Sequence, residues 1–382
     1  MKVKTILIIT FFAFIYGQPE DCSNGRYINE IFNVSIDYEI EYGANVNQNL
    51  LGQNYDQTLY MDVYSPAGDE FNSRPLIFFM YGGSFIGGSK SSPDIVALCN
   101  KYAQRGYVAV AIDYRLSPVL IFSPSEETAY KAVLKAMHDV KAAIRYFRMM
   151  NESSPNTYSI DPNRIYVGGV SAGAISAVNA GYLNSIEEVP SFLMDEYDSL
   201  GGIEGNSGNE GYDSSFHGIV NLCGAVGDAS WIQEGDIPIV SMHGDQDDVV
   251  PYDDNLVTLF GLNIQIDGSY VIHETMMNLG NYSALHTYVN QGHTPFSSMV
   301  FETEFSSDFL YEVVCSDNTD YIDGDINFDS EINILDVVNL VNFILDVSEP
   351  NSTEFEVADM NGDAYLNVQD IIILINVILG TN

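Results

Sequence analysis

Residues 164–174 read Arg-Ile-Tyr-Val-Gly-Gly-Val-Ser-Ala-Gly-Ala, and few stretches restrict a backbone as tightly. A short apolar β run, 165–167, leads into Gly169-Val170-Ser171-Ala172-Gly173. Ala174, Ile175, Ala177, Val178 and Ala180 follow with the apolar spacing of a helix. Strand, one-residue turn and helix together put Ser171 on a sharp bend at a helix N-terminus. Such a bend leaves no room for side chains two residues before and two after the serine, and glycine stands at both places. The hydroxyl is lifted above a sheet edge, beside free N–H groups and the positive end of a helix dipole. This predicts a nucleophilic serine. The competing reading is an ordinary glycine-rich turn.

The surrounding pattern is that of an α/β unit. Alternating residues at 34–42 and 57–64 predict two antiparallel strands, and the continuous apolar run 75–80 predicts a buried central strand. That run stops at Tyr81-Gly82-Gly83-Ser84-Phe85, whose glycines let backbone N–H groups face a ligand. A helix over 94–104, a strand over 107–113 and a long helix over 125–150 precede the Ser171 segment. Strands at 218–223, 237–242 and 284–289 and a closing helix at 298–314 follow it. Residues 184–214 have no period and read as a lid or binding loop. Strands and helices in alternation predict a mostly parallel, doubly wound sheet across residues 27–315, with ligands bound beyond the strand C-termini.

Fourteen basic against fifty-three acidic residues give a formal charge of −39, which excludes nucleic acid and anionic membranes as natural partners. Lys2 and Lys4, the apolar stretch 6–15 and Tyr16-Gly17 read as an export signal over residues 1–17, so the chain is expected outside the cell. Four cysteines, Cys22, Cys99, Cys223 and Cys315, then favour one or two disulfides. Cys22 with Cys99 is the preferred pair, and Cys223 on an apolar strand reads equally well as a buried thiol.

A serine hydroxyl needs a base, and the base needs a carboxylate to hold its tautomer. Of six histidines, His293 alone sits in a loop after the last predicted strand. His138 lies in a helix, His243 and His286 read as scaffold, and His217 and His273 lack such a loop. For the carboxylate, Asp245, Asp247, Asp248, Asp253 and Asp254 all follow the strand at 237–242, and their spacing does not choose among them. Donors for an oxyanion are expected from the N–H of Ala172 and, from the double-glycine loop, those of Gly83 and Ser84.

These texts, with Arg105-Gly-Tyr-Val, Asp113-Tyr-Arg-Leu, Asp161-Pro-Asn-Arg-Ile, His243-Gly, Val250-Pro-Tyr and Gly292-His293, run in an order that resembles α/β-hydrolase carboxylesterases of the hormone-sensitive-lipase and carboxylesterase type. The resemblance covers residues 55–300. It implies a serine esterase with Ser171, Asp247 and His293 as catalytic triad, Gly83, Ser84 and Ala172 as oxyanion hole, and no cofactor for the chemistry. One departure is Tyr81, where the family usually has histidine. Trp231, Phe85, Tyr114 and Tyr252 are candidates to line an aromatic-tolerant pocket.

Beyond a linker at 316–322, residues 323–382 repeat themselves. Asp325, Asn327, Asp329, Glu331 and Asp336 recur 34 residues later as Asp359, Asn361, Asp363, Tyr365 and Asp370. Side-chain oxygens at loop positions 1, 3, 5 and 12, with a backbone carbonyl at 7, suit Ca²⁺, and an apolar helix follows each loop. The module resembles a type I dockerin, a small all-α fold. That implies two structural Ca²⁺ sites and docking to a cohesin-like scaffold protein, typically in assemblies that degrade polysaccharides. It departs from that family at Ser330 and Ala364, where glycine is usual, and at Ile334-Leu335 and Val368-Gln369. A calcium-stabilised appendage is the plainer alternative. The expected substrates are carboxylic esters, cell-wall acetyl or feruloyl esters among them. An S9-like serine peptidase and a catalytically silent hydrolase-fold adhesion protein are the rival readings.

Overall fold

The alternating text near the N-terminus becomes a long antiparallel hairpin, β1 (Asn33–Gln48) and β2 (Asn54–Ala67). Its outer strand alternates between exposed and half-buried residues, as an edge strand with one wet face should. β3 (Arg74–Met80) and β4 (Val108–Ile112) are buried at every position and lie inside the sheet. α1 (Pro93–Gln104) connects them, and α2 (Glu126–Ser153) leads on to β5 (Ile160–Val170) and α3 (Ala172–Tyr182). α4 (Tyr197–Leu200), β6 (Ile219–Leu222), β7 (Ala225–Val226), β8 (Ile239–Gly244), β9 (Asp254–Val257) and β10 (Ile264–Gly268) come next. α5 (Ser269–Asn278), β11 (Ser283–Tyr288) and α6 (Val300–Cys315) complete the unit.

The computed structural model describes residues 22, 24–153, 156–194, 197–315, 324–327, 332–345, 347, 348, 350, 352–361 and 365–379. The segments read as export signal and linker, 1–17 and 316–322, lie outside them. The main sheet has eight strands in the order β1-β2-β4-β3-β5-β6-β8-β11, parallel from β4 onward. This is a mostly parallel sheet covered by helices, the α/β-hydrolase class. A second sheet, β7-β10-β9, falls in a region the sequence reading leaves unassigned. Its strands have two to five residues, too few to show a period.

The chain divides into two units, 1–315 and 316–382. The second is helical, with α7 (Ile334–Ile344), α8 (Ser352–Ala358) and α9 (Val368–Ile378) around Ile326, Val337, Leu340, Val357, Ala358 and Leu374. No helix among the described residues is long and apolar enough to cross a membrane.

The disulfide pairing differs from the expected one. Cys22 is bonded to Cys315, with Cα atoms 5.8 Å apart, whereas Cys99 and Cys223 are free and buried. Cys99 lies on the face of α1 that packs into the core with Ile95, Leu98 and Tyr102, whereas the N-terminal arm is hydrogen-bonded to the C-terminal end of that helix, Tyr27 and Ile31 N–H donating to the Arg105 and Gln104 carbonyls. At Cys22 the arm meets the end of α6, where the Tyr311 hydroxyl donates to the Cys22 carbonyl at 3.1 Å. A bond that closes so long a loop restricts the unfolded chain strongly. Cys22→Ser with Cys315→Ser is expected to cost about 2–5 kcal/mol in urea unfolding, whereas thiol titration of the unfolded wild type should find two free cysteines.

Candidate functional site

Ser171 has φ 54° and ψ −118°, a backbone conformation that side-chain-bearing residues rarely adopt. Its neighbours permit it. A Cβ on Gly173 would lie 2.1 Å from the Met80 carbonyl oxygen, and one on Gly169 would lie 2.3 Å from the Gly173 carbonyl carbon. Neither could be tolerated, so both glycines are obligatory here. Ser84, Phe85, Cys223 and Thr294 around the site also have positive φ, which concentrates backbone strain there.

The structure brings Ser171, His293 and Asp247 together. His293 Nε2 stands 2.8 Å from Ser171 Oγ, and His293 Nδ1 stands 2.6 Å from Asp247 Oδ2. With Nδ1 donating to the carboxylate, Nε2 is left to accept the serine proton. Among the five candidate aspartates, Asp247 is the one that folds back. Its Oδ1 accepts from the backbone N–H groups of Val249 at 2.8 Å and Val250 at 3.0 Å. Burial disfavours its charge, but hydrogen bonds from His243 and His293 more than compensate and hold the carboxyl well below the usual carboxylate range. Asp245 instead accepts from the Asn290 N–H at 2.6 Å and ties the neighbouring loop down.

His243, expected to be scaffold, is in direct contact with this acid. It is fully buried, and its Nε2 lies 3.0 Å from both Asp247 Oδ2 and the Val250 carbonyl. Its Nδ1 is 2.7 Å from Ser269 Oγ, which accepts from Asn221 Nδ2 at 3.0 Å. The two acceptors facing Nε2 mark that nitrogen as a donor. The only sequence signal was its place four residues before Asp247, at the end of a strand. The remaining histidines are elsewhere: His138 Nε2 bonds the Gly202 carbonyl, His217 Nδ1 accepts from the Ile165 N–H, His273 Nδ1 meets Ser283 Oγ, and His286 packs against Tyr288 and Phe301.

The double-glycine loop closes over the serine, with Gly82, Gly83, Ser84, Ser171 and His293 around one opening. Ala172 heads α3, where the first N–H groups have no intrahelical partner. Tyr81 stacks on Tyr114 at 4.4 Å between ring centroids. The Tyr114 hydroxyl donates to the Tyr81 carbonyl at 2.8 Å, and the Tyr81 hydroxyl donates to the Tyr114 carbonyl at 3.3 Å. This reciprocal pair braces the start of the loop. Lys90 anchors its far end: the buried ammonium contacts Asp62 at 2.9 Å and Glu39, while its N–H donates to the Asp113 carboxylate. Of the four aromatic residues expected at the pocket, Phe85 and Trp231 line it. Tyr114 is occupied in the brace, and Tyr252 bonds Thr287 Oγ1 and packs against Tyr270.

Cys223, Asp247 and His293 also present ligand atoms within 4.8 Å of one another, a grouping that could hold a metal ion. Burial pushes the Cys223 thiol up, which keeps it protonated, and both Asp247 oxygens already accept from N–H donors. Hydrogen bonds already occupy both Asp247 oxygens and both His293 ring nitrogens.

In the second unit, Asp336 and Asp370 are fully buried third residues of α7 and α9 and close capping boxes with Asn333 and Asn367. Asp336 Oδ1 also accepts from the N–H groups of Ile326 and Asn327, at 2.8 and 3.2 Å, drawing the loop around it. Among the described residues Asp370 Oδ1 is buried with no hydrogen-bond partner, which fits a carboxylate oxygen placed for a cation. Asp325 is buried, whereas Asp359 and Asn361 lie nearer the surface and the exposed Tyr365 has its carbonyl bonded by Asn367 Nδ2 at 3.1 Å. Asp329, Glu331 and Asp363 lie outside the described residues.

Two substitutions separate the roles around Asp247. Asp247→Asn puts the wrong tautomer on His293 and is expected to lower kcat for an ester substrate by roughly 10⁴-fold with the fold intact. His243→Ala removes one hydrogen bond to a buried charge, worth about 1.5–3 kcal/mol. It should lower Tm clearly and kcat by a much smaller factor than Asp247→Asn.

Comparison with known proteins agrees with this architecture. A family model described as BD-FAE matches residues 61–226, and one described as Dockerin type I domain matches residues 323–379. Lipase 1 of Geotrichum candidum is 26% identical over 157 residues, 38% of this chain and 27% of that protein. Fumonisin B1 esterase of Sphingopyxis macrogoltabida is 32% identical over 130 residues, 31% of this chain and 22% of that protein. Carboxylesterase 1D of Mus musculus is 27% identical over 158 residues, 41% of this chain and 24% of that protein. The matched stretch thus spans about a quarter of these curated relatives. Thermogutta terrifontis esterase 2, solved phosphoramylated by tabun, superposes with a TM-score of 0.51 at 20% identity, covering 71% of this chain and 95% of that one. The chain is therefore an α/β-hydrolase unit that resembles carboxylesterases and lipases, followed by a type I dockerin domain.

Proposed function

We propose that the protein is a secreted serine carboxylesterase that hydrolyses carboxylic esters through an acyl-enzyme. The observation that carries this reading is the unbroken hydrogen-bond chain from Ser171 through His293 to Asp247, opening beside the double-glycine loop. As Ser171 Oγ attacks the ester carbonyl carbon, His293 Nε2 takes its proton and Asp247 stabilises the imidazolium. The N–H groups of Ala172, Gly83 and Ser84 receive the oxyanion, a contribution for which losing one donor typically costs about 10²–10³ in kcat. The carbon–alkoxy bond then breaks, and His293 returns the proton to the departing alcohol oxygen. Water, deprotonated by the same nitrogen, attacks the acyl-enzyme and releases the acid with Ser171 restored. No cofactor takes part in these steps.

The dockerin domain supports a setting outside the cell, after removal of residues 1–17, and docking to a cohesin-like scaffold protein. Esters on cell-wall polysaccharides, acetyl or feruloyl, are the substrates this setting favours. Two structural Ca²⁺ ions would be held by Asp325, Asn327, Asp329 and Asp336 with the Glu331 carbonyl, and by Asp359, Asn361, Asp363 and Asp370 with the Tyr365 carbonyl. Bound there, each ion neutralises clustered carboxylates and fixes the start of the following helix.

A serine-reactive phosphonate followed by peptide mapping tests the esterase reading. Label at Ser171, with ester hydrolysis lost by at least about 10³-fold in Ser171→Ala, is expected. Absence of label, or cleavage of peptides alone, would overturn it. For the ions, calorimetric titration should count two Ca²⁺ per chain and one in Asp370→Ala. A chelator should lower the melting temperature of the C-terminal unit; an unchanged melt would remove the calcium proposal.

A further inference from the structure

The double-glycine loop is tied at its start, middle and end to one short stretch, residues 113–117. Tyr114 makes the reciprocal pair with Tyr81, the Ser117 N–H donates to the Phe85 carbonyl at 2.6 Å, and the Asp113 carboxylate accepts from the Lys90 N–H at 2.8 Å. Between those ties Gly83, Ser84, Phe85 and Gly88 all have positive φ, so the loop stores strain that its ends have to hold. Within it the Gly83 carbonyl accepts from the Ile86 and Gly87 N–H groups, at 3.0 and 3.2 Å. The carbonyl and N–H of one trans peptide point in opposite directions, so the Ser84 N–H faces out of this turn. The Lys90 ammonium adds a further tie at the far end. It is buried, and it contacts Asp62 on β2 at 2.9 Å and Glu39 on β1. A register break in the β1–β2 pairing at 37–40 brings Glu39 there. Glu39 has φ 57°, and its N–H donates to the same Asp62 Oδ1 at 2.9 Å.

Building on the esterase reading above, we propose that Lys90 is a positioning residue for the oxyanion hole: its ammonium fixes the far end of the loop to β1 and β2, and so sets where the Gly83 and Ser84 N–H groups stand relative to Ser171. Lys90 is not among the residues around the Ser171 opening, so its effect reaches the chemistry through the loop backbone. Oxyanion donors help only where negative charge develops in the transition state, and a displacement of about 1 Å costs roughly 10²-fold in rate. The tie depends on charge. One ammonium has three donors and serves carboxylates on two neighbouring strands at once. A neutral side chain of similar length would leave Asp62 buried without its counter-ion and free the loop end to relax its strain. A purely structural ion pair would behave differently, since it would hold the β1–β2 hairpin and leave the reaction rate untouched.

Lys90→Met and Lys90→Arg, each in the full chain, test this with p-nitrophenyl butanoate and an alkyl trifluoromethyl ketone. Ser171 Oγ adds to the ketone carbon, His293 takes the hydroxyl proton, and the ketone oxygen becomes an oxyanion held as in the transition state. Lys90→Met is expected to lower kcat by roughly 10²-fold with KM changed by less than about twofold. The ketone should bind more weakly by the same factor as kcat falls. The His293 Nδ1–H proton resonance should stay in place, because the triad is untouched. Lys90→Arg keeps the charge and should recover most of the loss. Should Lys90→Met fail to fold, Lys90→Met with Asp62→Asn removes both charges, keeps an acceptor for the Glu39 N–H, and is read in the same way. A folded variant with a lower melting temperature but wild-type kcat and ketone affinity would overturn the proposal. So would a loss seen in KM alone, or a His293 resonance lost together with activity. A wild type that takes no phosphonate label at Ser171 would overturn the esterase reading as well, whereas a labelled wild type whose kcat is indifferent to Lys90 overturns only the positioning role.

Discussion

The carboxylate of Asp247 is the fixed point of this molecule. Four N–H groups converge on it: two from the backbone at Val249 and Val250, one from His243 and one from His293. A buried charge costs free energy unless it is fully paired, and here the four donors come from three different constraints. The turn after β8 supplies the backbone pair, the strand itself supplies His243, and the loop after β11 supplies His293. Neutralising that carboxylate would release all three at once. Its lowered proton affinity keeps it ionised in the folded protein below the ordinary carboxylate range, so its contribution to stability is full above that range and is lost progressively as the pH falls through it towards the folded-state value.

From that point the geometry extends in two directions. Outward, His293 reaches Ser171, whose strained backbone is tolerated because Gly169 and Gly173 leave the Met80 carbonyl and the turn itself unobstructed. Inward, His243 passes the orientation to Ser269 and Asn221, and Asn221 also donates to Ser241 Oγ at 3.0 Å and accepts from the Gly224 N–H at 2.8 Å. The inner network joins β6, β8 and the start of α5. The parallel sheet therefore holds the reacting groups through hydrogen bonds as well as through packing.

Sequence alone shows the parts of this arrangement that steric rules write locally. A serine on so tight a turn demands glycine on both sides, and a wholly buried strand demands an unbroken apolar run, so Ser171, β3 and the sheet class are legible. Asp247 is not, because five aspartates share one loop and what distinguishes them is which one meets the Val249 and Val250 amides. His243 looks like an ordinary strand residue until the fold puts it against that acid. The short strands of the second sheet carry no period, so the wall that gives the pocket its apolar character cannot be read in advance. The cysteine pairing fails for a similar reason: Cys99 is close to the arm in sequence, yet its helix face turns it into the core, and the arm finds Cys315 at the opposite end of the unit. In the C-terminal unit the repeated ligand spacing is legible, and the Asp370 oxygen that has no partner among the described residues gives it a structural counterpart.

Proton NMR of the exchange-protected imidazole N–H groups tests the central arrangement most directly. The structure predicts a strongly downfield resonance from His293 Nδ1–H, donated to an ionised carboxylate 2.6 Å away, absent in His293→Asn and moved upfield in Asp247→Asn. A downfield region that is unchanged by both substitutions would mean that His293 does not donate to Asp247, and the account built on that contact would fail.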